Sequence, residues 1–408
     1  MTANEVRAWF PALQSGFAYL ENAGGSQVPV CVAEAIARHM VTEYVQLGAG
    51  YPQADAATSM VNEAHRFMAE FVNAGDAGHI VIGPSTTALI NLIAGAYGDI
   101  WTEGDEIVIA QANHEANAGA WERLQRRGAK IKIWPIDRET FLCELNSLEE
   151  LLTERTRLVA LPHVSNLVGM VQDVKAVCQM AHQVGANVCA DGVAYAPHRA
   201  IDVRELGVDW YVFSSYKVFG PHLAVLYGKR NSFEELTGPN HGFIPKDALP
   251  SKWELGGVSH EACAGLLALK PYLEFLASEP YGGHSTVQKA YETIHSLEAP
   301  LEAALRDGLR GLPGVRLIGP QEASDDTEGT VSFLHDSVPA DQIAAAVNRR
   351  GIGIRSGHMY AVRLLQGLGI PEEPGVVRVS LVHYNTMKEI ERVLEAVESV
   401  LSGSAPEV

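Results

Sequence analysis

Short apolar runs, rich in β-branched residues, recur through the first two thirds of the chain with helix-like stretches between them, and this alternation limits the fold more than any other feature. The runs cover residues 80–82, 106–110, 130–134, 158–161, 187–190, 210–213 and 224–227. Turn signals separate them: Glu103-Gly104-Asp105 before the second run, Gly128 after a helical 121–127, and Gly185 after a helical 174–183. Runs of this kind belong to strands covered on both faces, hence to a mostly parallel sheet between helical layers. The predicted class is α/β.

Beyond about Glu261 the texture changes. Helices are expected over 264–276, 285–308 and 340–350 and from Met387, and strands over 315–318, 330–333, 352–355 and 376–380. That is an α+β pattern and predicts a smaller second domain. The length of 408 residues suits two or three domains. The expected division is an N-terminal segment 1–18 packing with the small domain, a large domain 19–262, and an interdomain helix with the small domain over 263–408. The tail from Ser402 is expected to fray.

Charge narrows the class of partner. Lys plus Arg number 31 against 49 Asp plus Glu, a net charge of −18, which argues against general nucleic-acid binding. The first twenty residues carry Glu5 and Arg7 and no continuous apolar core of a leader. The apolar stretch 88–101 is broken by Asn91 and Asp99 and is too short to span a bilayer. The five cysteines are scattered and form no CxxC, which predicts a reduced, cytoplasmic chain. The fifteen histidines show no metal-ligand spacing, so no metal is expected. Gly351-Ile352-Gly353 lacks the third glycine and the helix of a dinucleotide fingerprint.

Four local signals carry chemistry together that none carries alone. Lys217 follows a buried strand in Phe213-Ser214-Ser215-Tyr216-Lys217. Such a lysine is a surface residue in most settings, but in an apolar one its pKa falls and it can form a Schiff base. Asp191 ends the run 187–190, at the carboxyl edge where α/β sheets bind ligands. The spacing from Asp191 to Lys217 is about one strand–crossover–strand unit, so the two can face one crevice. Ser85-Thr86-Thr87 lies between a strand and a helix, an ordinary cap that also makes an anion site. His114, just after a strand, could stack on a ring. Pyridoxal phosphate needs a lysine for its aldehyde, an acid for its pyridinium nitrogen and a cradle for its phosphate.

The chain resembles the class V aminotransferase family, in its cysteine-desulfurase-like branch. The matching pieces, in order, are Tyr19-Leu20-Glu21-Asn22-Ala23, Ser85 through Asn91, His114-Glu115-Ala116-Asn117, His163-Val164-Ser165-Asn166, Ala190-Asp191-Gly192, Ser214 through Lys217, and Val377-Arg378-Val379-Ser380. The resemblance implies the pyridoxal-phosphate-dependent fold type I, with a seven-stranded sheet in the large domain, a small C-terminal domain, and a homodimer with active sites at the interface. It implies pyridoxal 5'-phosphate as cofactor, with Lys217 as the Schiff-base residue, Asp191 on the pyridinium nitrogen and His114 over the ring. Ser85, Thr86, Thr87 and Ser214 would hold the phosphate, and Asn166 would approach the ring oxygen or the substrate. Tyr216 and Gly257 stand at two further cofactor positions, where the family usually has a histidine and a threonine. Asn22, Arg355, Tyr360 and Arg378 would face the substrate, Arg378 gripping its carboxylate.

Departures from the family pattern bear on the reaction. Desulfurases of this type carry a persulfide-forming cysteine after an Arg-x-Gly-His stretch; here Arg355-Ser356-Gly357-His358 leads to Tyr360. The usual glutamine after Asp-Gly-Ala is Ala194, and Tyr195 or a water could take its place. The expectation is an enzyme acting on a small α-amino acid, favouring β-elimination such as C–S lysis and not persulfide formation. Transamination and epimerisation are the alternatives, with a non-catalytic regulatory protein as the alternative of another class.

Overall fold

The computed structural model describes residues 1–403, so the tail expected to fray lies, past Gly403, outside the described residues. Seven strands form the central sheet: β1 (Gly78–Gly83), β2 (Glu106–Ala110), β3 (Lys130–Trp134), β4 (Thr156–Pro162), β5 (Asn187–Asp191), β6 (Trp210–Ser214) and β7 (Ala224–Lys229). Their order is β1-β7-β6-β5-β4-β2-β3. All neighbours run parallel except at β7, which is antiparallel to β1 and to β6. The α/β class read from the sequence is the one observed.

The period-two geometry of a strand explains why these runs are apolar throughout. Val108, Val159, Val188 and Tyr211 pack into one core, while Ile107, Leu158, Cys189 and Trp210, their chain neighbours, pack into another on the opposite face. With both faces closed to water, the sheet can carry polar function only at its ends. Asp191 closes β5, Ser214 closes β6, and the two strands lie side by side with Asp191 opposite Val212.

A second sheet contains β8 (Val315–Ile318), β9 (Thr330–His335), β10 (Arg355–Gly357) and β11 (Val376–Ser380), ordered β10-β11-β9-β8 and antiparallel throughout. Leu305, Leu309, Phe333, Ile343, Val379, Ile390 and Val393 form its own core. The helix expected over 264–276 is two helices, His260–Leu267 and Lys270–Ala277. Pro271, which lacks a donor N–H, sits in the first turn of the second, where the donor is not needed. The N-terminal chain is tied to the C-terminal part: Ala18 and Tyr19 pair in parallel with Ile352 and Gly353 as a two-stranded sheet of their own, and Arg7 reaches Glu389 on the last helix at 3.1 Å.

Where helix His284–Arg310 crosses between the sheets, a buried polar junction forms. His198 Nδ1 lies 2.8 Å from Glu298 Oε2, and Glu328 pairs with Arg199. Burial opposes the charge on His198, but Glu298, with Glu328 and Glu302 adding, outweighs it and pushes the imidazole up to about 9. Its folded pKa thus exceeds the unfolded value of 6.5, so the stabilisation is complete below pH 6.5 and fades as the pH rises toward 9. We predict that the Tm difference between wild type and the double variant His198→Gln/Glu298→Gln falls as the pH rises from 6.5 to 9. Parallel Tm profiles for wild type and variant over this interval would contradict it.

Candidate active site

The crevice at the carboxyl ends of β4, β5 and β6 forms a narrow cavity of about 80 Å3. Ser85, Thr86, Thr87, His114, Asn166, Asp191, Ser214, Tyr216 and Lys217 all line it, with Ala194 beside them. Residues spread over more than a hundred positions converge because each follows a strand. Thr86 and Thr87 open the helix Thr86–Gly98 after β1, His114 follows β2, and Asn166 follows β4.

Lys217 ends the short 3-10 turn Ser215–Lys217 after β6 and points its chain into the cavity. Burial, reinforced by Arg378 and only partly offset by Asp191 and Glu21, brings its amine down to about 8. Asp191 is 4 % exposed and accepts one hydrogen bond, from Val193 N at 2.9 Å. Burial raises its carboxyl to about 6, against the opposing pull of that N–H and of Lys217. His114 accepts from Ala116 N through Nδ1 at 3.1 Å, so the other nitrogen carries the proton of the neutral ring. Burial, then Lys217 and Arg378, lower it to about 4, which keeps it neutral near pH 7.

At the far end, Ser85 caps the helix, accepting from Ala88 N at 3.1 Å, and Thr86 Oγ1 shares a 2.8 Å hydrogen bond with Ser214 Oγ. The N–H groups of a helix's first turn have no helical acceptor and favour an anion. A buried carboxylate without an ion pair at one end, hydroxyls on a helix start at the other and a low-pKa amine between them fit pyridoxal phosphate. Asn166 adds a buried Oδ1 with no partner, while its Nδ2 donates to Met359 O at 2.8 Å.

The second sheet supplies the cavity's neighbour. Arg378 on β11 is 3 % exposed; it donates from Nη1 to Asn166 O at 3.0 Å and from Nη2 to Glu21 Oε1 at 3.2 Å. Burial lowers it to about 10, so it stays charged at neutral pH. Arg355 lies opposite it on β10 and is exposed. Tyr360, 57 % exposed, has φ +60° next to Met359 at +48°. Two left-handed non-glycine residues in sequence mark a strained loop, held by Glu115 N donating to Tyr360 O at 2.8 Å. The rings of His114 and Tyr360 are 5.3 Å apart. None of the five cysteines lines the cavity; four are buried and Cys31 is half-buried.

Two expectations, those for Asn22 and Tyr195, need correction. Asn22 is no substrate contact: it is buried, its Nδ2 donates to Ser380 O at 2.8 Å and Asn385 Oδ1 at 3.1 Å, and its Oδ1 accepts from Tyr384. It ties the N-terminal chain to β11. Gly257, at the position from which the resemblance has the family's threonine cross the dimer to the phosphate, lines a separate depression of its own chain beside Pro84 and Ala88. Tyr195 cannot replace the missing glutamine, since its ring stacks on His163 at 3.6 Å and faces a different depression. Sequence reasoning missed Glu21 as a site residue, although it stands in the quoted Tyr19–Ala23 motif.

The family model for aminotransferase class V matches residues 18–393. An "Aminotransferase-like protein FGM3" from Gibberella zeae is 37 % identical over 97 % of this chain and 98 % of its own length. A cysteine desulfurase from Pectobacterium carotovorum subsp. carotovorum is 31 % identical over 97 % of each chain. Among solved structures, the apo cysteine desulfurase of Thermococcus onnurineus NA1 superposes with a TM-score of 0.88 at 27 % identity, covering 99 % of both chains.

The electrostatics of Lys217 are directly measurable. In the cofactor-free protein, acylation of Lys217 followed by peptide mass spectrometry should show a midpoint near pH 8. Asp191→Asn removes a charge that favours the ammonium and should move that midpoint lower. A midpoint near the ordinary lysine value of ~10.4 would contradict the burial argument.

Proposed function

Because the chain belongs to the class V aminotransferase family, whose members are pyridoxal-phosphate-dependent enzymes of fold type I, we propose that it removes the α-proton of a small α-amino acid and expels a β-substituent. One observation carries the choice: a lysine amine with a pKa near neutrality stands in a cavity that no thiol lines. Bound pyridoxal phosphate would supply an aldehyde that condenses with amines and a cationic ring that withdraws electrons from the substrate's Cα. Thr86, Thr87 and Ser214 would hold the phosphate, and Asp191 would keep the ring nitrogen protonated. His114, neutral, would cover the ring without adding charge.

Arg378 would grip the α-carboxylate and set the Cα–H bond toward Lys217. An amine near pKa 8 is an effective base at neutral pH, because enough of it is unprotonated to accept a proton. With Tyr360 where related enzymes place a sulfur-accepting cysteine, a sulfur leaving group would depart in the small product. A phenol, unlike a thiolate, does not take up sulfane sulfur. The exposed Met40, Val41, Tyr44, Phe243 and Leu255 support pairing with a second copy. We place the protein in the cytoplasm, where its unpaired thiols stay reduced. No helix among the described residues is long and apolar enough to cross a membrane.

Incubation of the loaded enzyme with a panel of amino acids, assaying pyruvate, ammonia and sulfide together with keto acids and inverted amino acids, tests the reaction. Stoichiometric keto acid, ammonia and leaving group support elimination. Amino-group exchange without ammonia, inversion alone, or a reducible gain of one sulfur on the protein would each contradict it. Arg378→Lys keeps the charge but loses the fork, and should weaken amino-acid binding at least ~10-fold, as for one charged hydrogen bond. Unchanged affinity would remove Arg378 from the assignment.

A further inference from the structure

Glu21 lies beside both arginines and has no part in the reaction described above. The chain reaches this point through strand-like pairing: Leu20 N donates to Gly353 O at 3.0 Å, Ser380 N donates to Leu20 O at 2.7 Å, and Glu21 bridges Ser380. The N-terminal segment is thereby held along β11, and the Glu21 side chain falls next to Arg378. Its Oε1 accepts from Arg378 Nη2 at 3.2 Å and from Arg355 Nη1 at 3.4 Å. Arg355 and Arg378 are directly opposite on neighbouring strands, an arrangement of like charges that is unfavourable unless an anion stands between them.

A second feature concerns the space that this carboxylate occupies. A Cβ on Gly24 would sit 2.2 Å from Glu21 Oε1 and 2.6 Å from Oε2. The glycine is needed here for space and not for its φ, because it leaves room for the folded-back carboxylate. Arg378 is meanwhile only partly used, with its Nε buried and without a partner. Two guanidiniums and one carboxylate leave a single unmatched positive charge.

We propose that Glu21 is a specificity-determining residue: by sharing Oε1 between Arg378 and Arg355, it limits the site to amino acids with one carboxylate and rejects those with a second in the side chain. The inference rests on the assignment of Arg378 to the substrate carboxylate. A monocarboxylic amino acid satisfies the surplus charge. A dicarboxylic one brings a second anion against Glu21, with no cation left to match it.

The test uses the loaded enzyme and two amino acids that lack an α-proton, 2-methylalanine and 2-methylaspartate, with Kd measured by calorimetry. Wild type should bind 2-methylalanine the more tightly. Glu21→Gln keeps the shape and an acceptor oxygen but removes the charge. It should shift the ratio of the two Kd values roughly tenfold toward 2-methylaspartate, the order expected for one partly screened unit charge a few ångströms away. Gly24→Ala, which pushes the Glu21 carboxylate off the arginines, should shift the ratio the same way and guards against a folding defect in the first variant. A ratio unchanged in both variants, or moved toward 2-methylalanine, overturns the inference. If Arg378→Lys leaves the binding of both ligands unaltered, or neither ligand binds wild type, the carboxylate assignment itself fails and this inference falls with it.

Discussion

Charges buried at the carboxyl edge of a sheet that is closed on both faces are the constraint on which the site depends. Inside such a sheet an ion has no water to turn to, and the effective penalty is several kcal/mol per uncompensated charge. Asp191 and Lys217 at that edge, and Arg378 buried on the second sheet beside them, all accept some of that penalty, and their pKa values are displaced to about 6, about 8 and about 10. All three shifts favour the neutral form. A cationic ring over Asp191 and an aldehyde on Lys217 would relieve two of them, so that binding of the cofactor is coupled to the same burial that holds the fold together.

Much of this was legible because strands that are apolar throughout leave a simple trace. The runs at 106–110, 130–134 and 376–380 coincide with strands. Lys217, Asp191 and Ser85-Thr86-Thr87 stood out because each directly follows or ends such a run, and topology then brought those ends together. The split of the helix after Leu267 was also written in the chain, at Pro271, but a proline in a first turn looks the same whether a helix begins there or continues through a kink.

What the sequence did not disclose depends on packing between distant segments. Asn22 and Glu21 are adjacent residues of one motif with opposite fates, one locked against Ser380 and Asn385, the other facing two arginines. Their separation follows from the alternation of side chains along a segment paired with β11, a pairing between residues more than three hundred positions apart in sequence. Tyr195 and Ala194 also part, here in the turn that follows β5. The neighbour that lines the cavity is the alanine, while the tyrosine ring turns to stack on His163. A resemblance by position assigns a residue to a motif; only the fold decides which way it faces.

The central claim is that Lys217 is the amine that holds the cofactor. Reducing the pyridoxal-phosphate-loaded protein with borohydride and mapping its peptides tests it most directly. The account predicts a phosphopyridoxyl group on Lys217 alone, with Lys217→Ala giving no labelled peptide. A label on another lysine, such as Lys252 or Lys229, or labelling that survives Lys217→Ala unchanged, would contradict it.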